Sequence, residues 1–160
     1  MLYFQQMLGI AVFSITGVLA IKKADVDLFG AVVLGIITAI GGGTIRDLLL
    51  DLPIFWIADF NYIWGALFGP LLAFFLTQRL QRRYRLLLYL DGLAAALFAL
   101  AATEKVLALQ LAAPLAVMMG VLTSIGGGIA RDVLAGRVSL VLSREIYSTP
   151  LVLGCTLYVL

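Results

Sequence analysis

Histidine is absent from this 160-residue chain, and cysteine occurs once, at Cys155. Without histidine the chain lacks the most common general base and the most common metal ligand, which argues against most hydrolases and metalloenzymes. A single cysteine cannot form an intrachain disulfide. The chain also lacks a phosphate-binding loop with its Gly-Lys-Ser/Thr ending. We therefore predict that the protein is not an enzyme and uses no cofactor.

Charge is also scarce: 12% of the residues are charged and 63% are hydrophobic, and the mean hydropathy is +1.11. A soluble domain needs more polar surface, so lipid must be the solvent for much of the exterior. A helix needs roughly 20 apolar residues to cross a bilayer, and no stretch shows the alternation of a barrel strand. We predict an all-α, polytopic membrane helix bundle, a single transmembrane domain over 1–160, with six crossings: Met1–Ile21, Leu28–Ile45, Phe60–Gln78, Gly92–Thr103 (extended back to Leu86), Val106–Ala130 and Ile146–Leu160.

The basic residues are distributed unevenly between the predicted loops. Six lie in the first and third loops: Lys22, Lys23, Arg79, Arg82, Arg83 and Arg85. Arg137 and Arg144 lie in the fifth loop, which is on the same side of the membrane. By the positive-inside rule these loops are cytoplasmic and the N-terminus is outside. The arginine cluster of the third loop could instead contact anionic lipid or nucleic acid, but such clusters usually fix topology only, so we predict no nucleic-acid partner.

The chain contains an internal repeat. Residues 35–49 read GIITAIGGGTIRDLL and residues 120–134 read GVLTSIGGGIARDVL, with nine of fifteen positions identical at a constant offset of 85 residues. Phe13 and Phe98 stand at the same offset. We place the two repeats at 1–78 and 86–160. Each contains three crossings, an odd number, so the second must enter the membrane from the opposite side, as in the inverted repeats of many transporters.

Each repeat carries three successive glycines, which lower helix stability by about 1 kcal/mol each relative to alanine. We predict that both helices are broken there, within the membrane, and that the freed backbone lines a wet path. A monovalent cation could then bind at the backbone of Gly42 and Gly127. The alternative is that the glycines form a close-packing surface. The six residues are Gly41, Gly42, Gly43, Gly126, Gly127 and Gly128.

An arginine-aspartate pair follows each triplet: Arg46-Asp47 and Arg131-Asp132. Neighbouring residues on a helix point about 100° apart and pair poorly, so we predict pairing between the halves, Arg46 with Asp132 and Arg131 with Asp47. The alternative is that these groups cap helix ends and reach the headgroups. Charges inside a membrane are costly and favour a polar interior. We include Asp91 as a weaker candidate, and the flanking hydroxyls of Thr38, Thr44, Thr123 and Ser124 as candidates along an ion pathway.

The doubled GGG-x-x-RD-x-L motif is specific. Together with Asp27-Leu28-Phe29-Gly30 and Pro53-x-x-Trp56, it resembles the prokaryotic members of the TRIC family, the trimeric intracellular cation channels. The resemblance implies a homotrimer in a bacterial or archaeal cytoplasmic membrane, with a potassium-permeable pore in each protomer lined by the second and fifth helices. The resemblance also implies seven helices, and because we predict six crossings, we expect the seventh to lie outside this sequence. Gln6 stands where the repeat offset from Asp91 would place a carboxylate.

Three functions fit these features. We favour a monovalent cation channel for potassium or sodium, with membrane lipid and two further copies of the chain as its other partners. The main alternative is a secondary transporter of a small zwitterion such as glycine, because helix ends that face a midplane site suit a carboxylate and an ammonium equally well. A membrane scaffold without transport activity is the third.

Overall fold

The computed structural model describes residues 2–21, 26–77, 83–142 and 148–160. Every regular element in these ranges is helical, which confirms the all-α class. The lysines at 22 and 23 and the arginines at 79, 82 and 144 lie outside the described residues. The helices are α1 (Leu2–Ala20), α2 (Leu28–Leu49), α3 (Phe55–Ala58), α4 (Asn61–Thr77), α5 (Arg83–Ala108), α6 (Ala113–Leu134) and α7 (Ser148–Val159), with a 3₁₀ turn at Leu140–Leu142.

Four of the described helices, α1, α2, α5 and α6, are long and apolar enough to cross a membrane, whereas α4 and α7 are apolar but shorter. All six coincide with predicted crossings. The predicted boundary between the fourth and fifth crossings is wrong, because α5 continues through Glu104 and Lys105 to Ala108. The charge of Lys105 is compensated by Asp47, whose Oδ1 lies 2.8 Å from the lysine Nζ. The helix therefore does not have to end before it.

The core lies between α1 and α5. Phe13 of α1 stacks on Phe98 of α5, with ring centroids 5.3 Å apart and ring planes 19° apart. These two residues are related by the repeat offset, so a residue and its own counterpart meet at the centre of the bundle. Five of the ten other buried residues in this cluster are alanines, whose small side chains let the helices approach closely: Ala39, Ala66, Ala94, Ala95 and Ala99.

Helices α2 and α6 cross at the glycine triplets. A Cβ at Gly42 would lie 1.9 Å from the carbonyl oxygen of Thr123, and a Cβ at Gly127 would lie 2.2 Å from the carbonyl oxygen of Thr38. Both glycines and both threonines are related by the repeat offset, so the contact is reciprocal. Along α2 the order is 38 then 42, and the partners on α6 follow in the order 127 then 123. The two helices therefore run antiparallel about a pseudo-twofold axis, as an inverted repeat requires.

The prediction that the triplets break these helices is wrong. Helix α2 runs unbroken from Leu28 to Leu49, and α6 runs unbroken from Ala113 to Leu134. An unwound turn in lipid would leave backbone groups without hydrogen bonds at several kcal/mol each, more than the cost of glycine in a helix. Here the glycines let two backbones touch, as the packing alternative proposed.

Candidate functional site

The first arginine-aspartate pair lies in the last turn of α2. The side chains of Arg46 and Asp47 are 1% and 0% exposed. Arg46 Nε donates a hydrogen bond to Asp47 Oδ1 at 2.8 Å, and Lys105 Nζ of α5 donates to the same oxygen at 2.8 Å. The carboxylate of Asp47 thus contacts two cationic side chains, those of Arg46 and Lys105. We name these three residues the Arg46 cluster; its formal charge is +1.

The second arginine-aspartate pair lies in the last turn of α6. Its hydrogen-bond partners differ from those of the first pair. Arg131 Nε donates to Asp132 Oδ1 at 2.9 Å, and its Nη2 donates to Asp132 Oδ2 at 3.1 Å. Arg131 Nη1 donates to the hydroxyl of Thr16 at 3.0 Å and contacts the carboxylate of Asp91. The carboxylates of Asp91 and Asp132 thus both contact Arg131. We name the four residues the Arg131 cluster; its formal charge is −1.

The predicted pairing between the halves is wrong, because each arginine binds the aspartate next to it in the chain. The rule that neighbours on a helix diverge holds for short side chains. The arginine side chain is long and carries five N–H donors. Its Nε can therefore contact the carboxylate of the next residue, although the two Cβ atoms point about 100° apart. Burial of both guanidinium groups, at 1% and 0% exposure, also excludes the alternative in which they extend to the headgroups.

Each aspartate of the repeated motif also accepts a backbone hydrogen bond from the segment that follows its helix. Asp47 Oδ2 accepts a hydrogen bond from the backbone N–H of Phe55 at 3.0 Å, and Asp132 Oδ2 accepts one from the N–H of Leu140 at 3.1 Å. Phe55 and Leu140 are again 85 residues apart. Sequence reasoning missed these two partners, because a backbone donor can be any residue and leaves no side-chain signature.

The predicted hydroxyl groups mostly bond to their own helices. Thr38, Thr44 and Ser124 donate to carbonyl oxygens three or four residues earlier, and Thr44 also accepts from the indole N–H of Trp56 at 2.9 Å. Among the described residues, the buried hydroxyl of Thr123 has no hydrogen-bond partner. With α2 and α6 unbroken, the predicted cation at Gly42 and Gly127 loses the freed carbonyls on which it was based.

Three residues that contact the candidate site were not singled out from the sequence. Lys105 and Thr16 complete the two charged clusters. Tyr62 of α4 donates its hydroxyl hydrogen to Gln6 Oε1 at 2.9 Å. A signal was present for Lys105, because a lysine inside an apolar region needs a buried partner.

A cleft of about 550 Å³ runs along the first turns of α2 towards the crossing with α6. Its lining is apolar and includes none of the predicted site residues. It is formed by Ile21, Val26, Gly30, Val33, Leu34, Ile37, Leu134, Ala135 and Gly136. Nor do the described residues contain any group of three or more Cys, Asp or Glu residues placed to hold a metal ion.

These features define a class of protein. Apolar helices arranged as an inverted repeat, with charges buried at both ends of a central helix pair, are the architecture of membrane channels and secondary transporters. The family model described as "Glycine transporter" matches residues 3–78 and 88–160, and the chain belongs to this family.

Curated relatives are similar over nearly the whole chain. A "UPF0126 membrane protein" of Vibrio cholerae is 43% identical over 156 residues, covering 96% of this chain and 65% of its own length. The "UPF0126 inner membrane protein YadS" of Escherichia coli K12 is 40% identical over 156 residues, covering 96% and 75%. The chain thus spans about two thirds to three quarters of the length of these relatives.

The solved structures confirm the predicted resemblance to TRIC proteins. The TRIC orthologue from Rhodobacter sphaeroides matches with a TM-score of 0.94 at 38% identity, covering 99% of this chain and 82% of the other. A prokaryotic TRIC channel solved in 0.5 M KCl matches with a TM-score of 0.92 at 28% identity, covering 99% and 82%. These neighbours are channels, in agreement with the prediction that the protein is not an enzyme.

Proposed function

We propose that the protein is a monovalent cation channel for potassium or sodium, with one pore in each protomer of a homotrimer. The single observation that carries this proposal is the TM-score of 0.94, at 38% identity, with a TRIC trimeric intracellular cation channel orthologue. We place the protein in a bacterial or archaeal cytoplasmic membrane, with the N-terminus outside and lipid around the exposed apolar helix faces.

The pore of this proposal runs beside α2 and α6 rather than through breaks in them. Gly42 and Gly127 pack on opposite backbones too closely for an ion to pass between these atoms. In this proposal a cation enters from one surface through the cleft along α2, which extends towards the crossing. Conduction then requires the two helices to separate locally at the glycines, where no side chains interlock.

The charged clusters lie at opposite ends of this path. Asp91 and Lys105 both belong to α5 and are 14 residues apart, roughly 20 Å of helix rise. The Arg131 cluster, at −1, lowers the energy of a cation at its end, and the Arg46 cluster, at +1, raises it. In a medium of low dielectric constant such single charges decide which ions enter.

Potassium flux into proteoliposomes tests the proposal. We expect the wild-type protein to pass potassium and sodium but not chloride. Asp91→Asn neutralises the −1 cluster and should reduce cation flux several-fold, whereas Asp51→Asn, on the exposed loop after α2, should leave it unchanged. Flux no greater than in empty vesicles, for protein that remains folded, would contradict the proposal.

The family description "Glycine transporter" and the opposite charges of the two clusters support one alternative. Because the clusters are roughly 20 Å apart, a small zwitterion would meet them one after the other, with its carboxylate facing the +1 cluster at one end and its ammonium facing the −1 cluster at the other. Counterflow of labelled glycine into proteoliposomes tests this transporter. Saturable uptake without unitary currents would favour it over the channel.

A further inference from the structure

The cleft along α2 has a counterpart in the second half of the molecule. Five of the residues that line it are separated by the repeat offset of 85 positions from members of one hydrophobic cluster. In the cleft these are Ile21, Gly30, Leu34, Ile37 and Ala135, and their counterparts in the same order are Val106, Leu115, Met119, Leu122 and Leu50. We name the five counterparts the Met119 cluster.

The two places differ in side-chain size at two positions. Gly30 and Ala135 line the cleft, whereas their counterparts are Leu115 and Leu50. Both leucines pack against the buried members of the cluster, of which Met119 is 7% exposed. Where the first half has a cleft of about 550 Å³, the second half has aliphatic side chains in contact. The pair of helices α2 and α6 is therefore open at one end and closed at the other.

The open end is the one that carries the negative cluster. Ala135 is the C-cap residue of α6, whose last turn contains Arg131, so the cleft lies at the end with formal charge −1. Leu50 is the C-cap residue of α2, whose last turn contains Arg46, so the Met119 cluster lies at the end with formal charge +1. A cation is thus favoured at the open end and meets both an apolar contact and a positive cluster at the closed end.

We propose that the Met119 cluster is the gate of the protein, and that it opens when Leu50 and Leu115 move apart. Leu50 follows α2 and Leu115 lies in the first turn of α6, so the gate joins the two helices that conduction must separate. A hydrophobic constriction stops ions because it excludes water. This inference rests on the proposed channel, because a gate requires a path to close.

Packing in lipid makes such a gate reversible. Apolar side chains inside a membrane protein are held together mainly by van der Waals contact, because lipid tails are as apolar as leucine. Leu50 and Leu115 can therefore exchange contact with each other's neighbours for contact with lipid. The ion pairs of Arg46 with Asp47 and of Lys105 with Asp47 do not have to break for this movement.

Cysteine labelling tests the closure without measuring flux. Ile37 and Leu122 are counterparts, one lining the cleft and the other packed in the Met119 cluster. Ile37→Cys and Leu122→Cys are each combined with Cys155→Ala, which removes the single native cysteine. In nanodiscs a water-soluble cationic thiol reagent has access to both faces of the protein. We expect Ile37→Cys to react at least tenfold faster than Leu122→Cys.

The double variant Leu50→Ala/Leu115→Ala gives the closed end smaller side chains, as the open end has. It should bring the reaction rate of Leu122→Cys close to that of Ile37→Cys and raise potassium flux into proteoliposomes several-fold. Leu151→Ala removes a buried leucine of the main core on α7. It is the control for a cavity made elsewhere and should change neither measurement.

The reverse change is Ala135→Leu, which places in the cleft the side chain that Leu50 has in the Met119 cluster. It should close the open end and reduce potassium flux several-fold. It should also slow the labelling of Ile37→Cys, because Ile37 and Ala135 line the same cleft.

Two results would overturn the gate. Equal reaction rates of Ile37→Cys and Leu122→Cys would show that both ends are equally accessible. Unchanged potassium flux in folded Leu50→Ala/Leu115→Ala protein, while the wild type conducts, would show that these side chains do not limit passage. A wild-type protein that passes no ions, but labels as predicted, would contradict the proposed channel and not the closure at the Arg46 end.

Discussion

The two halves of the molecule have equivalent helix packing contacts, but their buried charged clusters differ in formal charge. Phe13 stacks on Phe98, and Gly42 and Gly127 pack on each other's helices, at positions related by one offset. The loops after α2 and α6 are fastened in the same way by their motif aspartates. Yet the first cluster carries +1 and the second −1. The repeat therefore conserves contacts that hold helices together, while the electrostatics of each end differ.

Neutralising the motif aspartates should show this difference most strongly. Asp47→Asn leaves Arg46 buried with no carboxylate, whereas Asp132→Asn leaves Arg131 in contact with Asp91. Loss of a buried ionic partner costs about 3–5 kcal/mol, so we expect Asp47→Asn to reach this range and Asp132→Asn to cost less. Equilibrium unfolding in detergent micelles measures both. A larger loss for Asp132→Asn would contradict the assignment of charges.

Alanine at the crossing glycines should affect the halves equally. In Gly42→Ala and Gly127→Ala the new Cβ meets a backbone carbonyl oxygen that cannot move aside, and overpacking of this kind costs about 1–3 kcal/mol. Gly154→Ala on α7, where no atom lies within 4 Å of a Cβ, is the control and should lose no stability; its higher helix propensity should stabilise the protein by up to about 1 kcal/mol. Thermal melts compare the three. If alanine were tolerated at one of the two crossing glycines and not at the other, the result would contradict the pseudo-twofold relation between them.

Thr16 is a partner that only the second cluster has, since the offset places Ala101 at its counterpart position. Thr16→Val removes the acceptor of Arg131 Nη1; hydrogen bonds to charged groups contribute about 1.5–3 kcal/mol. We expect a loss near the lower limit, because Asp91 still contacts the same nitrogen. Thr156→Val on the exposed face of α7 is the matched control. Equal free energies of unfolding for Thr16→Val and Thr156→Val would show that Thr16 does not stabilise the Arg131 cluster.

The smallest effect should come from the bond between Trp56 and Thr44, which has no counterpart because the offset positions hold Val141 and Ile129. Trp56→Phe and Thr44→Val should each cost about 0.5–1.5 kcal/mol. A double-mutant cycle should show that the losses are not additive, because both variants remove the same 2.9 Å hydrogen bond. Full additivity would show that the bond contributes nothing to stability.

Composition and the repeat offset were enough to predict the membrane class and the inverted pair of halves. Length and hydropathy constrain a lipid-embedded helix strongly, and an odd number of crossings dictates inversion. The glycine triplets were misread because a sequence shows the cost of glycine but not the neighbouring backbone that offsets it. At Gly42 that neighbour is Thr123, 81 residues away in the chain.

The charged clusters were predicted by residue but not by partner. Arg46, Asp47, Arg131 and Asp132 are all buried, as intramembrane charges inside a bundle should be. Their partners depend on which helices pack together. The link from Lys105 to Asp47 spans 58 positions, and no local pattern encodes it.

Single-channel recording in planar bilayers tests the central claim most directly. With full-length protein and a tenfold gradient of potassium chloride, we predict discrete current steps whose reversal potential lies close to the potassium equilibrium potential. Bilayers that stay silent at every voltage, with protein that exchanges labelled glycine saturably in vesicles, would contradict the channel.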